Sequence, residues 1–267
     1  MILFYEPIGL HGKYGEDDCL QGLFELLSIP YTGSGVLGSA LGADKYASRK
    51  VIAMSGMDVP RTRAVSIKEW DSDREIVLGD IEKDIGFPCV VKPAREGCST
   101  TVKKVVSPEG IESAPLAAFE WDSVALIEEF ITGTEVTCGV IGNDEPIALV
   151  PSETIPTKGI LSLEDKFLYG RDENKMPARL PDDVLKKIQD VAVRTFLVLG
   201  LKAYARIDVF VPGDGRVVVF EPNSLPGMTP STVLFHQAAA EGITQTELIS
   251  RIIQLSLDAH AGKKRPL

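Results

Sequence analysis

Cysteine is scarce in this chain of 267 residues, and its four copies, Cys19, Cys89, Cys98 and Cys138, form no short paired spacing of the metal or redox type. No disulfide framework is implied, and reduced thiols are the expectation. The three histidines, His11, His236 and His260, lack the spacing of a metal site. Positive charge is in deficit: Lys and Arg total 28 against 38 Asp and Glu, a net charge of -10. Such a surface repels phosphate backbones, which argues against sequence-independent nucleic-acid binding. No apolar run approaches membrane-spanning length, and the N-terminus from Met1 to Glu6 has no basic n-region. A soluble, cytoplasmic protein without a membrane partner is expected. Repeats and low-complexity tracts are also missing, while a hydrophobic content of 44% suffices for one large or two modest domains.

Periodicity and turn residues predict an α/β chain in three parts: 1–60, 61–150 and 151–267. The first part holds a strand near Ile2 to Leu10 and helices over Cys19 to Leu27 and Lys45 to Met54. The second holds strands at Pro88 to Lys92, Ser123 to Glu128 and Glu135 to Ile141, with a helical segment at Ile81 to Ile85. A long polar loop from Pro156 to Pro177 precedes a helix from Asp182 to Leu199, a hairpin, and helices near Val233 to Ala240 and Thr246 to Ala259. Long connections of this kind are lids, binding loops or disordered segments.

The hairpin is the richest segment. Asp214-Gly215 is a turn signal between Val209-Phe210-Val211 and Val217-Val218-Val219-Phe220. Side chains alternate along strands, so a loop of two or four residues places Arg206, Asp208, Glu221 and Asn223 on one face. Two carboxylates and an amide oxygen suit Mg²⁺, and a neighbouring guanidinium suits an anion. An exposed polar face is the alternative.

Two further segments carry chemistry. Val90-Val91-Lys92 reads as a buried strand ending in a lysine, followed by a loop containing Cys98, Ser99, Thr100 and Thr101. Its backbone N–H groups suit phosphates, although the common P-loop pattern is missing and a plain surface hairpin fits equally. In Leu126 to Glu135 an apolar strand delivers Glu128, Glu129 and Phe130 to a cleft. The backbone there suits an adenine edge, Phe130 a ring and Glu135 ribose hydroxyls; the alternative is a core phenylalanine with solvated glutamates.

Six motifs then occur in order: His11-Gly12-Lys13-Tyr14-Gly15-Glu16-Asp17, Ile29-Pro30-Tyr31-Thr32-Gly33-Ser34-Gly35, Lys92-Pro93-Ala94-Arg95-Glu96-Gly97, Glu128 to Glu135, Arg206-Ile207-Asp208, and Glu221 to Thr229. Together they resemble the D-alanine–D-alanine ligases, which are ATP-grasp enzymes. The resemblance implies an ATP-grasp fold that holds ATP between two lobes, preceded by a shortened N-terminal α/β domain. It implies that Lys45 and Lys92 clamp the phosphates, with Ser99 in the loop above them and Lys166 of the long loop as a further phosphate ligand. Glu128, Phe130, Glu135 and the backbone around Glu129 and Ile131 become nucleoside contacts. Asp208, Glu221 and Asn223 become ligands of two Mg²⁺ ions, with Mn²⁺ as a substitute. Arg206 and the Gly227 N–H form an oxyanion site, Thr232 holds the second substrate's carboxylate, and His11 contacts the first substrate or its acyl phosphate. The implied reaction activates a carboxylate as an acyl phosphate, which an amino or hydroxy acid then attacks.

The pattern also breaks. The family places a βα unit with an ammonium-binding glutamate before the point where this chain begins, and links that glutamate to a serine and a tyrosine that here are Cys98 and Phe167. Phenylalanine lacks the hydroxyl and a thiol is a weak donor, so a changed substrate is expected. Some relatives with phenylalanine in that loop make D-alanyl-D-lactate esters, which points to a hydroxy acid as second substrate. The missing segment motivates a second reading, a nucleotide-binding module that is regulatory or acts with a partner chain. Loss of the unit also exposes the strand at Ile2 to Leu10, which predicts a homodimer through the N-terminal region.

Overall fold

Two antiparallel sheets divide the strands in the computed structural model, which describes residues 14–15, 17–95, 102–155, 174–229 and 231–263. The expected strand at Ile2 to Leu10, together with His11, Cys98, Ser99, Lys166 and Phe167, lies outside the described residues.

Helices α1 (Cys19–Leu27), α2 (Val36–Ala43) and α3 (Lys45–Met54) come first. The Asp44 carboxylate accepts from the Tyr46 and Ala47 amides and so starts α3. Then β1 (Thr62–Ser66), β2 (Cys89–Pro93), β3 (Lys103–Val105) and β4 (Val124–Glu129) form a four-stranded sheet in the order β1-β4-β2-β3. Its covering layer is α4 (Ile67–Ser72), α5 (Arg74–Asp80) with a wider helical turn over Ile81–Ile85, and α6 (Ser113–Phe119). Trp70, Val77, Ile81, Ile111 and Ala118 pack on Val65, Val91 and Ile127 to make this core.

The chain crosses to the second sheet between Glu129 and Thr134. That sheet contains β5 (Thr134–Gly142), β6 (Ile147–Ala148), β7 (Ser152–Thr154), β8 (Asn174–Lys175), β9 (Ala203–Val211) and β10 (Val218–Asn223). Its order is β10-β9-β5-β7-β8, with β6 also on β5. β8 occupies the end of the segment expected to be an unstructured loop, because Asn174 and Lys175 pair with Thr154 and Glu153. α7 (Asp182–Val198) lays Ile188, Ala192 and Phe196 on one sheet face, against Val136, Cys138, Ile207 and Val209. On the other face α8 (Val233–Ala240) and α9 (Gln245–Ala261) pack Leu234, Phe235 and Leu248 against Ile141, Leu149 and Tyr204. Thr244 and Glu247 begin α9 with a capping pair, the Thr244 hydroxyl accepting from the Glu247 amide at 3.2 Å.

β10 is an edge strand, which is why Pro222 is tolerated within it. The hairpin connection differs from expectation: it runs over 212–217, six residues rather than two or four. Among the described residues no helix is long and apolar enough to cross a membrane.

Candidate active site

Directly opposed residues of an antiparallel pair share a face, and the register here sets Glu221 against Asp208 and Asn223 against Arg206. A bulge between Val219 and Glu221 makes this possible. Without the extra residue Phe220 would oppose Asp208, and Glu221 would point to the other face. Asp208 is 4% exposed, with hydrogen bonds on both carboxylate oxygens. Its Oδ1 accepts from Thr137 Oγ1 at 2.7 Å and Arg206 Nε at 3.0 Å, and its Oδ2 from Arg206 Nη2 at 2.9 Å and Asn223 Nδ2 at 3.0 Å. Burial works against the Arg206 cation, yet Asp208, Glu221 and Glu135 outweigh it and hold the guanidinium above its ordinary range. Nε and Nη2 are thus committed to Asp208, and the hydrogen bonds of the guanidinium leave Nη1 as its remaining donor among the described residues.

Across from the hairpin, α3 presents a buried face of Lys45, Ser48, Arg49 and Ile52. Lys45 Nζ lies 3.1 Å from Glu221 Oε1, and the Lys45 amide donates to the Ala94 carbonyl at 3.2 Å, tying α3 to the end of β2. On β2, Lys92 Nζ lies 2.7 Å from Glu128 Oε1. The other Glu128 oxygen, Oε2, lies 2.7 Å from Arg49 Nη2. Burial pushes the Lys92 ammonium down to about 8, although Glu128 favours its charge. Burial likewise penalises the Glu128 carboxylate, but Arg49 and Lys92 overcome this and hold it below the ordinary carboxylate range. Arg49 was not among the residues singled out from sequence. The available signal was its i, i+4 spacing from Lys45 on the helix face that also bears Ile52.

The segment after β4 departs in part from expectation. Glu129 is bound at its carboxylate by the Arg61 amide at 2.9 Å and Arg61 Nε at 2.8 Å, and its own amide donates to the Arg61 carbonyl at 3.0 Å. The Phe130 amide donates to the Pro88 carbonyl at 3.3 Å. The Glu129 and Phe130 amides are thus both taken by protein carbonyls. Phe130 is half-buried rather than core, with Lys104 Nζ 3.5 Å from its ring centroid. Glu135 precedes Thr137 by two residues on β5 and so shares the face that carries Asp208.

Gly227 lies half-buried in the loop between β10 and α8. Thr232 stands at the start of α8, where its side chain makes no cap; its hydroxyl lies 3.1 Å from that of Thr229. The helix is pinned by Gln237, whose Oε1 accepts from the Gly139 amide at 3.0 Å and whose Nε2 donates to the Thr137 carbonyl at 2.8 Å. A Cβ at Gly139 would sit 2.6 Å from Leu234 Cδ1 and 2.7 Å from Gln237 Oε1, so a larger residue there would displace both side chains.

The donor set can be tested for a cation. Asp208, Glu221 and Asn223 offer oxygen alone, and Asn223 directs its nitrogen at Asp208, leaving Oδ1 as its ligand atom. Hard oxygen donors with negative charge fit Mg²⁺ or Mn²⁺. The lysine and glutamate pairs beside them suit a polyanion that the cation accompanies.

Known proteins resemble this chain in sequence and fold. Residues 51–254 match the family model described as the D-ala D-ala ligase C-terminus. The chain is 38% identical over 255 residues to the D-alanine–D-alanine ligase of Geobacillus thermodenitrificans, a match covering 96% of this chain and 70% of that protein. Its structure is similar to that of the VanG D-Ala:D-Ser ligase from Enterococcus faecalis, with a TM-score of 0.85, 32% identity, and coverage of 96% of this chain and 73% of that one. It is also similar to the D-alanine–D-alanine ligase from Bacillus anthracis complexed with ATP, with a TM-score of 0.79, 30% identity, and coverage of 98% and 81%.

Proposed function

The chain belongs to the D-alanine–D-alanine ligase family and has its ATP-grasp fold, and from that premise we propose which residues perform the reaction and on what substrates. It is an ATP-dependent ligase. The substrates in this reading are a small carboxylate of the D-alanine type and an amino or hydroxy acid acceptor. One observation carries the reading: two buried lysines, Lys45 and Lys92, each held by a glutamate, flank the oxygen-rich hairpin face.

Lys45 and Lys92 bind the phosphates, joined by the loop at Ser99 and by Lys166. Glu128, the Ile131 amide, Phe130 and Glu135 hold the nucleoside. Asp208, Glu221 and Asn223 would hold Mg²⁺, which supplies charge neutralisation during phosphoryl transfer. The first carboxylate oxygen bonds to the γ-phosphorus as the bond to ADP breaks. The acceptor's amine or hydroxyl then attacks the acyl carbon, losing a proton, and phosphate leaves. Arg206 and the Gly227 N–H face the oxyanion of that step, where one donor typically contributes roughly 2.7–4 kcal/mol. Thr232 holds the acceptor's carboxylate and His11 the first substrate.

Phosphate release from ATP and Mg²⁺ across D- and L-amino acids and hydroxy acids tests the reading. Release that depends on an acceptor is expected. Tight ATP binding with no such dependence would instead identify a nucleotide-binding module.

A pH dependence follows from Lys92, whose ammonium form meets phosphate and whose burial lowers it from 10.5 to about 8. Above about pH 8 ATP binding must take up a proton, so affinity falls by up to about tenfold per pH unit. For folding the sign is opposite. Between about 8 and 10.5 the unfolded chain binds more protons at this group, so its contribution to stability rises with pH. Calorimetric ATP titrations from neutral to alkaline pH should show the loss; a flat affinity removes Lys92 from the phosphate site.

In this reading residues 1–60 form the shortened N-terminal domain, 61–150 the small lobe and 151–267 the large lobe, the chain changing sheet between Glu129 and Thr134. The reading also includes a cytoplasmic homodimer formed through the N-terminal region. Leu26, 85% exposed, Leu37, 69% exposed, and Leu23 and Leu27 form exposed apolar surface on α1 and α2 that a second copy would cover. Light scattering at micromolar concentration should give twice the chain mass; a monodisperse monomer contradicts the dimer.

A further inference from the structure

Arg49 is 2% exposed and touches both sheets from α3. Its Nη1 donates to Thr62 Oγ1 of β1 at 3.0 Å. Its Nη2 donates to the Phe220 carbonyl of β10 at 2.9 Å and lies 2.7 Å from Glu128 Oε2 of β4. Phe220 is the bulged residue that brings Glu221 opposite Asp208. A planar fork reaches these three acceptors; a single ammonium does not.

The charges give this contact a purpose. Glu128 carries two cations on separate oxygens, Arg49 on Oε2 and Lys92 on Oε1. A buried carboxylate stripped of its sole partner is costly, so a lysine that alone neutralised Glu128 would be held there. With Arg49 in place, Lys92 can turn to a phosphate while Glu128 stays paired. We propose that Arg49 is a positioning residue that frees Lys92 for the nucleotide and, through the Phe220 carbonyl, holds the bulge that aims Glu221. This rests on reading the cleft as an ATP site. Arg49 itself touches no reacting atom in this scheme.

The test is the affinity of the full-length chain for a non-hydrolysable ATP analogue with Mg²⁺, measured by calorimetry beside the melting temperature without nucleotide. Arg49→Gln should weaken binding roughly 30-fold, because Lys92 then becomes Glu128's only cation among the described residues. In a Glu128→Gln background the same change should cost less than about threefold, since no carboxylate remains to retain Lys92. A loss due only to removing positive charge would be the same in both backgrounds, and that result overturns the proposal. Should Arg49→Gln not fold, Arg49→Lys carries the test: it keeps the charge but not the three-way contact. It should melt near the wild type and bind about fivefold more weakly. A lowered melting temperature with unchanged affinity assigns Arg49 a purely structural role and likewise overturns the proposal. If the wild type binds and both Arg49 variants bind equally well, this inference alone falls; if the wild type binds no nucleotide, the ATP reading falls first.

Discussion

Glu221→Gln is expected to lower ATP-dependent phosphate release by about 10³-fold, an effect of roughly 4 kcal/mol on the barrier. The substitution preserves shape and removes one negative charge. Glu221 is one of the two carboxylates on the hairpin face, set directly opposite Asp208, and it is also the partner of Lys45 at 3.1 Å. A neutral amide is a weaker ligand for a hard cation and a weaker holder of a buried ammonium. Cation and phosphate lysine are therefore both disturbed by a single change. Asp208→Asn should behave similarly, with a further loss of order around Arg206, whose bidentate contact to Asp208 would be broken. Steady-state phosphate release at saturating ATP and Mg²⁺ measures the effect. Activity of Glu221→Gln within tenfold of the wild type would show that this carboxylate holds no catalytic cation.

The largest expected effect on stability belongs to Glu128→Ala. It strands two buried cations, Arg49 and Lys92, both of which lie 2.7 Å from its oxygens. Breaking a buried pair from one side typically costs about 3–5 kcal/mol, a fall of roughly 10 °C in melting temperature for a chain of this size. Its neighbour supplies the control. Glu129 pairs with Arg61 at the surface, and Glu129→Ala should cost no more than about 1 kcal/mol. Comparable melting temperatures for the two variants would mean that the buried cluster is not ionised as described. The acid side has a defined sign. Glu128 is held below its ordinary 4.5, so its stabilisation is present above that value and is lost as pH falls through the lowered one.

Much of the local structure was legible. The helices at Cys19–Leu27 and Lys45–Met54 end where the apolar period ends, and Asp44 marks the start of the second. Strand alternation correctly grouped Arg206, Asp208, Glu221 and Asn223 on one face, although by a different route. The connection is six residues long, and a bulge at Phe220 restores the facing. Bulges arise from strain and neighbouring contacts, here including the Arg49 guanidinium on the Phe220 carbonyl, and leave no periodic trace in the chain. Helix α2 was also hidden. Gly38 and Gly42 are poor helix formers, yet they admit the Gly200 carbonyl and the Ser224 side chain, so close packing outweighs propensity.

Periods, caps and ordered motifs act over a few residues, and they sufficed to locate the central strands and the main helices, while the edge strands Thr62–Ser66 and Lys103–Val105 left no such signal. Pairing decisions act over the whole chain. That the Glu129 amide is taken by Arg61, that Gln237 pins the helix behind Thr232, and that Arg49 bridges to a carbonyl 171 residues away each depend on which surfaces meet once the sheets have formed. Contacts between distant segments are selected by burial and by the cost of leaving polar groups unpaired, and those energies exist only in the folded chain.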